Sequence, residues 1–325
     1  MSIEEHQVNA PEQKQCKENN VSAAKKIRSA AMLFFAAVIW GSAFVAQDRA
    51  GDKLADSVFT ITFSRFLLGG VVLIPFWLIY RKKSGGARSA RDIRYSIRNG
   101  FFCGLALFAP CVLQQLGISA GSSSAKAGFI TVLYVVLVPV CGLFMKKKLS
   151  PLTWIAVAIA PVGLYFLCMP PGSFRVETCD LYLIACAFGY TVQILFIDRF
   201  APRCDALLMT VSQFFTVALF SFILAVIFES GTIPGLGTIA KEIVYLGVMS
   251  CGVGYTFQVL GQKNTDPTVA SLLMSLESVF ALISGAVILG QTPTPRELCG
   301  CLLMFAAVIL AQIPTPGSKK KPKKN

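Results

Sequence analysis

The chain has 325 residues, of which 54% are hydrophobic and only 14% are charged. A soluble domain carries about 25% charged residues, so most of this chain faces something other than water. The formal net charge of +13 does not indicate nucleic-acid binding, because the basic residues cluster in the segments that separate apolar blocks.

Ten apolar blocks follow one another along the chain, each long enough to cross about 30 Å of hydrocarbon as a helix. The blocks are continuous rather than alternating, which favours helices over the strands of a barrel. We therefore predict an all-α integral membrane fold with ten transmembrane helices. The predicted spans are residues 30–47, 57–80, 100–118, 124–145, 152–170, 180–197, 206–228, 241–261, 268–290 and 296–313.

The distribution of Lys and Arg predicts the orientation of these spans. With the N-terminus in the cytosol, 23 of the 30 basic residues lie in cytosolic segments and five in external loops. Arg65 and Lys126 are the two that lie within or at the edge of a span. Cytosolic loops of membrane proteins carry an excess of Lys and Arg, so we expect a multi-pass protein of the bacterial inner membrane with both termini cytoplasmic.

Short motifs recur in the same order in the two halves of the chain. Residues 62–66 (TFSRF) match 210–214 (TVSQF) at an offset of 148, and Gln114 matches Gln258 at an offset of 144. Each half holds five spans, so the second half enters the membrane inverted, which places a binding site at the interface of the repeats. The predicted segments are a cytosolic tail (1–29), repeat 1 with helices 1–5 (30–170), repeat 2 with helices 6–10 (171–313) and a basic cytosolic tail (314–325).

Three charged residues within the spans are candidates for substrate binding or coupling. Glu277 lies about 14 and 20 Å from the two ends of its span, too deep to reach the membrane surface. It is either a substrate-binding or proton-titrating carboxylate, or a structural group that pins helices together. Arg65 and Lys126 either face the same cavity or extend their long stems to the interface. If all three face inward, the cavity suits a ligand with a carboxylate, which Arg65 can hold bidentately.

Uncharged polar and aromatic side chains at membrane depth extend this candidate site. Gln114, Gln193 and Gln258 either line the cavity or join helices through hydrogen bonds worth about 0.6 kcal/mol each. Trp40 either stacks on a substrate or packs between helices. The sequence alone leaves these alternatives open.

The sequence offers little for catalysis or cofactor binding. The one histidine, His6, lies in the N-terminal tail, and no Walker A segment is present. Most of the 11 cysteines lie inside apolar spans, where a thiol acts as a small hydrophobic group. We therefore expect no enzyme activity, no cofactor, no metal and no disulfide.

The chain resembles the drug/metabolite transporter superfamily, and specifically its EamA-like branch, over residues 30–313. The resemblance rests on Trp40-Gly41, Ser64-Arg65-Phe66, the run from Ala125 to Thr131 continuing to Val138-Pro139, and Leu276-Glu277. It implies ten helices in inverted repeats, cytosolic termini, a central cavity and export of small metabolites such as amino acids. Ser278 stands where the family often has proline, so the local kink after the glutamate can be absent here.

The leading functional hypothesis is a secondary transporter that exports small polar metabolites, such as amino acids or related carboxylate-bearing compounds, by alternating access. The alternative is a lipid-linked carrier flippase or a scaffold subunit that works with partner proteins. We expect a small-molecule substrate and the lipid bilayer as partners, no nucleic acid, and a monomer or homodimer. The sequence leaves proton coupling open.

Overall fold

The computed structural model describes residues 10–54, 57–83, 89–120, 122, 124–145, 149–169, 172, 177–229, 233–290 and 292–313. The side chains of residues 10–22, 124–126, 233–234 and 289 lie outside that description. The described chain is helical throughout, without strands, and contains ten helical segments long and apolar enough to cross a membrane. The predicted all-α membrane fold with ten spans is therefore confirmed. The C-terminal tail and most of the predicted boundary between the repeats fall outside the described residues.

Each span corresponds to one helix or to a series of consecutive helical segments. Helix α1 starts well before the predicted span, because the polar segment preceding residue 30 continues the same helix. The helices are α1 (Ala10–Lys53), α2 (Val58–Lys83), α3 (Ala90–Ser119), α4a (Ser124–Val132), α4b (Tyr134–Phe144), α5 (Pro151–Cys168), α6 (Thr178–Phe200), α7 (Ala206–Phe228), α9a (Pro267–Met274), α9b (Glu277–Leu289) and α10 (Pro295–Gln312). The eighth span, α8, consists of a 3₁₀ segment (Ile233–Ile239), an α-helical turn (Ala240–Val244), a π-helix (Tyr245–Tyr255) and an α-helix (Thr256–Gln262).

Helices α5 and α10 begin in the same way. Ser150 precedes Pro151, and its hydroxyl accepts a hydrogen bond from the Thr153 backbone at 3.1 Å. Thr294 precedes Pro295 and caps the Glu297 backbone at 3.3 Å. A capping hydroxyl followed by proline at the first helical position fixes a helix start, because it satisfies one free N–H and removes another.

The fourth and ninth spans are each interrupted within the span, between two helical segments. At Leu133 and at Leu276 the backbone N–H bonds to the carbonyl three residues earlier, at 3.2 and 3.3 Å, instead of four residues earlier. This tightening separates α4a from α4b and α9a from α9b. The sequence-based view that the kink beside Glu277 can be absent is corrected here, because α9 is interrupted directly before Glu277 without a proline after it.

Helices from the two halves of the chain interleave. Helix α1 packs against α8 and α9b, while α6 packs against α3 and both parts of α4. Helix α2 packs against α7, and α5 against α10. The α5–α10 contact is close, since a Cβ added at Gly163 would lie 3.1 Å from the Gly300 carbonyl oxygen. Small residues permit this approach, which helix association in lipid requires because hydrophobic burial contributes little there.

Polar contacts tie the helix ends together at one end of the bundle. The Glu229 carboxylate, just after α7, accepts hydrogen bonds from the Phe59 and Thr60 backbones at 2.7 Å each. These are free N–H groups in the first turn of α2, where a carboxylate also interacts favourably with the helix dipole. An ion pair of 2.7 Å between Lys53 and Glu242 joins the end of α1 to α8.

Candidate functional site

A cavity of about 50 Å³ lies in the centre of the bundle, where α1–α4 meet α6, α8 and α9. The space is small and is lined in part by polar side chains, so it suits a small polar molecule. Its lining mixes one positive group, one carboxyl, three amides and several aromatic rings. The lining residues are Trp40, Ala43, Phe44, Gln47, Arg65, Gln114, Tyr134, Tyr190, Ile194, Ser250, Tyr255, Gln258, Met274 and Glu277.

Arg65 supplies the positive group of the cavity. It lies in the second turn of α2, is only 4% exposed, and donates from Nη1 to Gln47 Oε1 at 2.7 Å. Its Cζ lies 5.1 Å from the centre of the Phe66 ring, which favours a cation over that ring. Among the described residues, Nε has no hydrogen-bond partner and the guanidinium forms no ion pair. A buried arginine with unused donors beside a cavity is suited to binding a carboxylate.

Glu277 supplies the carboxyl group from the opposite half of the chain. It is 7% exposed and begins α9b, while Tyr134 begins α4b. The Tyr134 hydroxyl donates to Glu277 Oε1 at 3.3 Å, so the first residues of the two half-helices meet across the cavity. Glu277 forms no ion pair with any residue in the described parts of the chain. The N-terminus of α9b offers it partial positive charge, but the carboxyl group retains capacity for a ligand.

The three predicted glutamines occupy different positions. Gln114 and Gln258 line the cavity, whereas Gln193 does not and is fully buried behind Gln258. Gln193 and Gln258 exchange two hydrogen bonds of 3.3 and 3.1 Å between their amides, which joins α6 to α8. Among the described residues, Gln114 makes only a long contact of 3.5 Å with the Thr131 hydroxyl, so its amide retains capacity for a ligand.

Trp40 lines the cavity and also contacts the π-helix of α8. Its Nε1 donates to the Ser250 carbonyl at 3.1 Å, and its ring centre lies 4.9 Å from that of Tyr255. A Cβ added at Gly254 would lie 2.6 Å from Trp40 Nε1, so this contact requires glycine at that position. π-helical segments frequently occur at functional sites, and here one presents a backbone carbonyl to the cavity.

Several cavity residues were not identified from the sequence. Tyr134, Tyr190 and Tyr255 line the cavity together with Phe44, and with Trp40 they form an aromatic lining near Glu277. Gln47 was also missed, although its polar side chain lies within the first span. Tyrosines in the middle of a span carry a signal, because a buried hydroxyl needs a hydrogen-bond partner that lipid cannot provide.

The side chain of Lys126, the third predicted charged residue, lies outside the described residues, although the backbone places it in the first turn of α4a. The structure therefore brings Arg65, Glu277, Trp40, Gln114 and Gln258 to one cavity.

One group of potential metal ligands lies away from the cavity. The ligand atoms of Glu177, Cys179 and Asp180 lie within 4.8 Å of one another. Glu177 and Asp180 form a capping box at the start of α6, in which the Asp180 carboxylate accepts from the Glu177 backbone at 2.7 Å. Helix capping accounts for this arrangement.

Comparison with known proteins identifies transporters. The model of the EamA-like transporter family matches residues 27–169 and 177–312. An "uncharacterized transporter" of Archaeoglobus fulgidus is 25% identical over 295 residues, covering 89% of this chain and 87% of the relative. The threonine/homoserine exporter RhtA of Escherichia coli K12 is 25% identical over 279 residues, covering 81% and 86% respectively. RhtA of Salmonella typhimurium SL1344 is 26% identical over 269 residues, covering 80% and 85%.

A solved crystal structure has the same fold. It superposes with a TM-score of 0.71 at 20% sequence identity and covers 87% of this chain and 96% of its own. The ten-helix arrangement is therefore shared with an experimentally determined structure.

Proposed function

The chain belongs to the EamA-like transporter family, and we propose that it is a secondary transporter that exports small amino-acid-like metabolites across the inner membrane by alternating access. The observation that carries this proposal is that Arg65, whose Nε has no hydrogen-bond partner among the described residues, lines the same cavity as Glu277.

The carboxylate of the substrate binds at Arg65. In the described part of the chain, the guanidinium donates to Gln47 alone, and its remaining donors match the two oxygens of a carboxylate. Burial strengthens such a charged hydrogen bond because little water competes for it.

The amino group of the substrate binds near Glu277. The carboxyl group accepts one bond from Tyr134 and has no cationic partner among the described side chains. Tyr190, Tyr255 and Trp40 add ring faces to the same cavity, and ring faces attract ammonium groups. A zwitterion therefore complements the two ends of the cavity. The name of the RhtA relatives, a threonine/homoserine exporter, supports this substrate class.

Alternating access is supported by the relation between the two halves. The two segments matched by the family model correspond to the proposed repeats, residues 30–170 and 171–313. The helix contacts come in related pairs, with α1 on α8 and α6 on α3. In this proposal the repeats are inverted, both termini lie in the cytosol, and rocking of one repeat against the other exposes the cavity to each side in turn.

Ligand-dependent stabilisation of the purified protein tests the substrate class. The ligands are L-threonine, L-homoserine, threonine amide (which lacks the carboxylate) and 2,3-dihydroxybutanoate (which lacks the amine). A ligand present at 100 times its Kd adds about 2.7 kcal/mol to the free energy of unfolding. We expect the zwitterions to raise the melting temperature and each truncated analogue to do so less. Equal effects of all four compounds, or stabilisation by none of a panel of amino acids, would contradict the proposal.

A further inference from the structure

Arg65 and Gln213 occupy equivalent positions in two helices that pack together. Each is the eighth residue of its helix, since α2 begins at Val58 and α7 at Ala206. Both lie within the repeated motif at residues 62–66 and 210–214.

The local structure at the two positions is also equivalent. The threonine that opens each motif bonds back to the carbonyl of the first residue of its helix, at 2.8 Å in both cases. A phenylalanine follows each position, and these two residues, Phe66 and Phe214, contact each other with their ring centres 5.4 Å apart. In the proposed inverted arrangement, spans 2 and 7 cross in opposite directions, which places Arg65 and Gln213 on either side of this contact.

The two side chains differ in their surroundings. Arg65 lines the cavity and bonds to Gln47. Gln213 is 0% exposed, and neither its amide oxygen nor its amide nitrogen has a hydrogen-bond partner among the described residues. At the offset of 148, the counterpart of Gln47 is Leu195, which offers no polar atom.

A buried amide with no partner destabilises the conformation that contains it. Each unsatisfied buried polar group costs about 1–3 kcal/mol, and an apolar side chain of the same shape would avoid that cost. Such groups require an explanation in a natural protein. A second conformation in which the amide is used supplies one, since inverted repeats exchange their environments when the transporter switches.

We infer that Gln213 is a substrate-path residue that takes the place of Arg65 in the second conformation of the transport cycle, where its amide faces the cavity and hydrogen-bonds the substrate carboxylate. The inference rests on the proposed alternating-access function. An uncharged amide holds a carboxylate less strongly than a guanidinium does, so the substrate binds more weakly in that conformation. The substrate affinity of the site therefore differs between the conformation open to one side of the membrane and the conformation open to the other.

Thiol accessibility tests this assignment without requiring a known substrate. Gln213→Cys is introduced into a cysteine-free variant and treated in membrane vesicles with a small charged methanethiosulfonate reagent. Ser221→Cys is the matched control, because Ser221 is also 0% exposed in α7 with an unpartnered hydroxyl. We expect the second conformation to be populated at about 0.1–10%. The cysteine at position 213 should then react about 10- to 1,000-fold more slowly than the exposed Gly237→Cys, at a rate that is still measurable. Reaction at 213 no faster than at 221 overturns the inference.

Replacement of the amide in the otherwise native protein provides a second test. Gln213→Met keeps the length of the side chain and removes its unsatisfied groups, so we expect a higher melting temperature together with slower L-threonine counterflow in proteoliposomes. Ser221→Ala should leave counterflow unchanged. A higher melting temperature with wild-type counterflow overturns the inference. If wild-type protein transports no amino acid, the proposed substrate class fails, while the labelling result still decides the role of residue 213.

Discussion

Replacement of Arg65 by lysine keeps the positive charge and removes the planar fork of donors that the guanidinium presents. The variant therefore tests whether binding depends on the geometry of the donors or on the charge alone. An ammonium group is a single point donor and cannot bind both oxygens of a carboxylate while it also reaches Gln47. We expect Arg65→Lys to fold normally and to bind carboxylate-bearing substrates more weakly.

The expected loss follows from the contacts of the guanidinium. Arg65 donates a hydrogen bond of 2.7 Å from Nη1 to Gln47, and its Nε has no hydrogen-bond partner among the described residues. A hydrogen bond to a charged group contributes about 1.5–3 kcal/mol. Loss of one such bond to the ligand therefore weakens binding by about 10- to 100-fold, since 1.4 kcal/mol corresponds to a factor of ten.

Titration of the purified variant with L-threonine and with threonine amide measures this effect. Because the amide lacks the carboxylate, Arg65→Lys should reduce threonine binding and leave amide binding nearly unchanged. Arg81→Lys is the matched control, because Arg81 lies at the end of α2 and its Cζ is 5.5 Å from the Trp77 ring centre, away from the cavity. Threonine binding within a factor of two of wild type, in a folded variant, would refute the role of the fork.

Three further predictions concern the carboxyl group, the packing and the topology. Glu277→Gln preserves size and hydrogen bonding, so we expect normal yield but loss of proteoliposome transport or of its pH dependence; unchanged transport with a lower melting temperature would indicate a structural role. Gly41→Ala places a Cβ 2.5 Å from Phe280 Cβ and 2.6 Å from the Glu277 carbonyl oxygen. Overpacking of this kind costs about 1–3 kcal/mol, so its melting temperature should fall, whereas Gly128→Ala, with nothing within 4 Å, should melt like wild type. Alkaline phosphatase fused after residue 325 should be inactive, because the Lys and Arg distribution predicts a cytosolic C-terminus; high activity would exclude that orientation.

The helices were predictable because a long apolar block in lipid has one favourable backbone structure. All ten predicted spans coincide with helical segments, with errors mainly at their ends. The interruptions at Leu133 and Leu276 were not predictable, since a shift from one carbonyl acceptor to another is a local exchange of hydrogen bonds that leaves hydropathy unchanged. The π-helix from Tyr245 to Tyr255 was not predictable for the same reason, since it too differs from an α-helix only in which carbonyl accepts each hydrogen bond.

The candidate site was predictable where burial carries a large energetic cost. A charge at membrane depth needs a protein environment, so Glu277 could be assigned to the interior from the sequence alone, whereas the long stem of Arg65 left an interfacial position open. An amide or a tyrosine costs less, and its position relative to the cavity depends on helix rotation. Gln258 lines the cavity, whereas Gln193, which hydrogen-bonds to it, does not line the cavity and lies behind it. Periodicity within one helix cannot supply that distinction without the neighbouring helices.

The absence of a direct ion pair between Arg65 and Glu277 bears on how transport is coupled to the substrate. Each lines the same cavity, and within the described chain neither forms a salt bridge. Two opposite charges in direct contact would neutralise each other and leave little for a ligand to gain. Held apart, each charge depends on water in an open cavity, and closing the cavity without substrate would strip that water at a cost of several kcal/mol. A zwitterion bound between them replaces the water with opposite charges at both ends. In the proposed transport cycle, the loaded protein therefore closes more easily than the empty one, which favours movement of substrate over empty cycling.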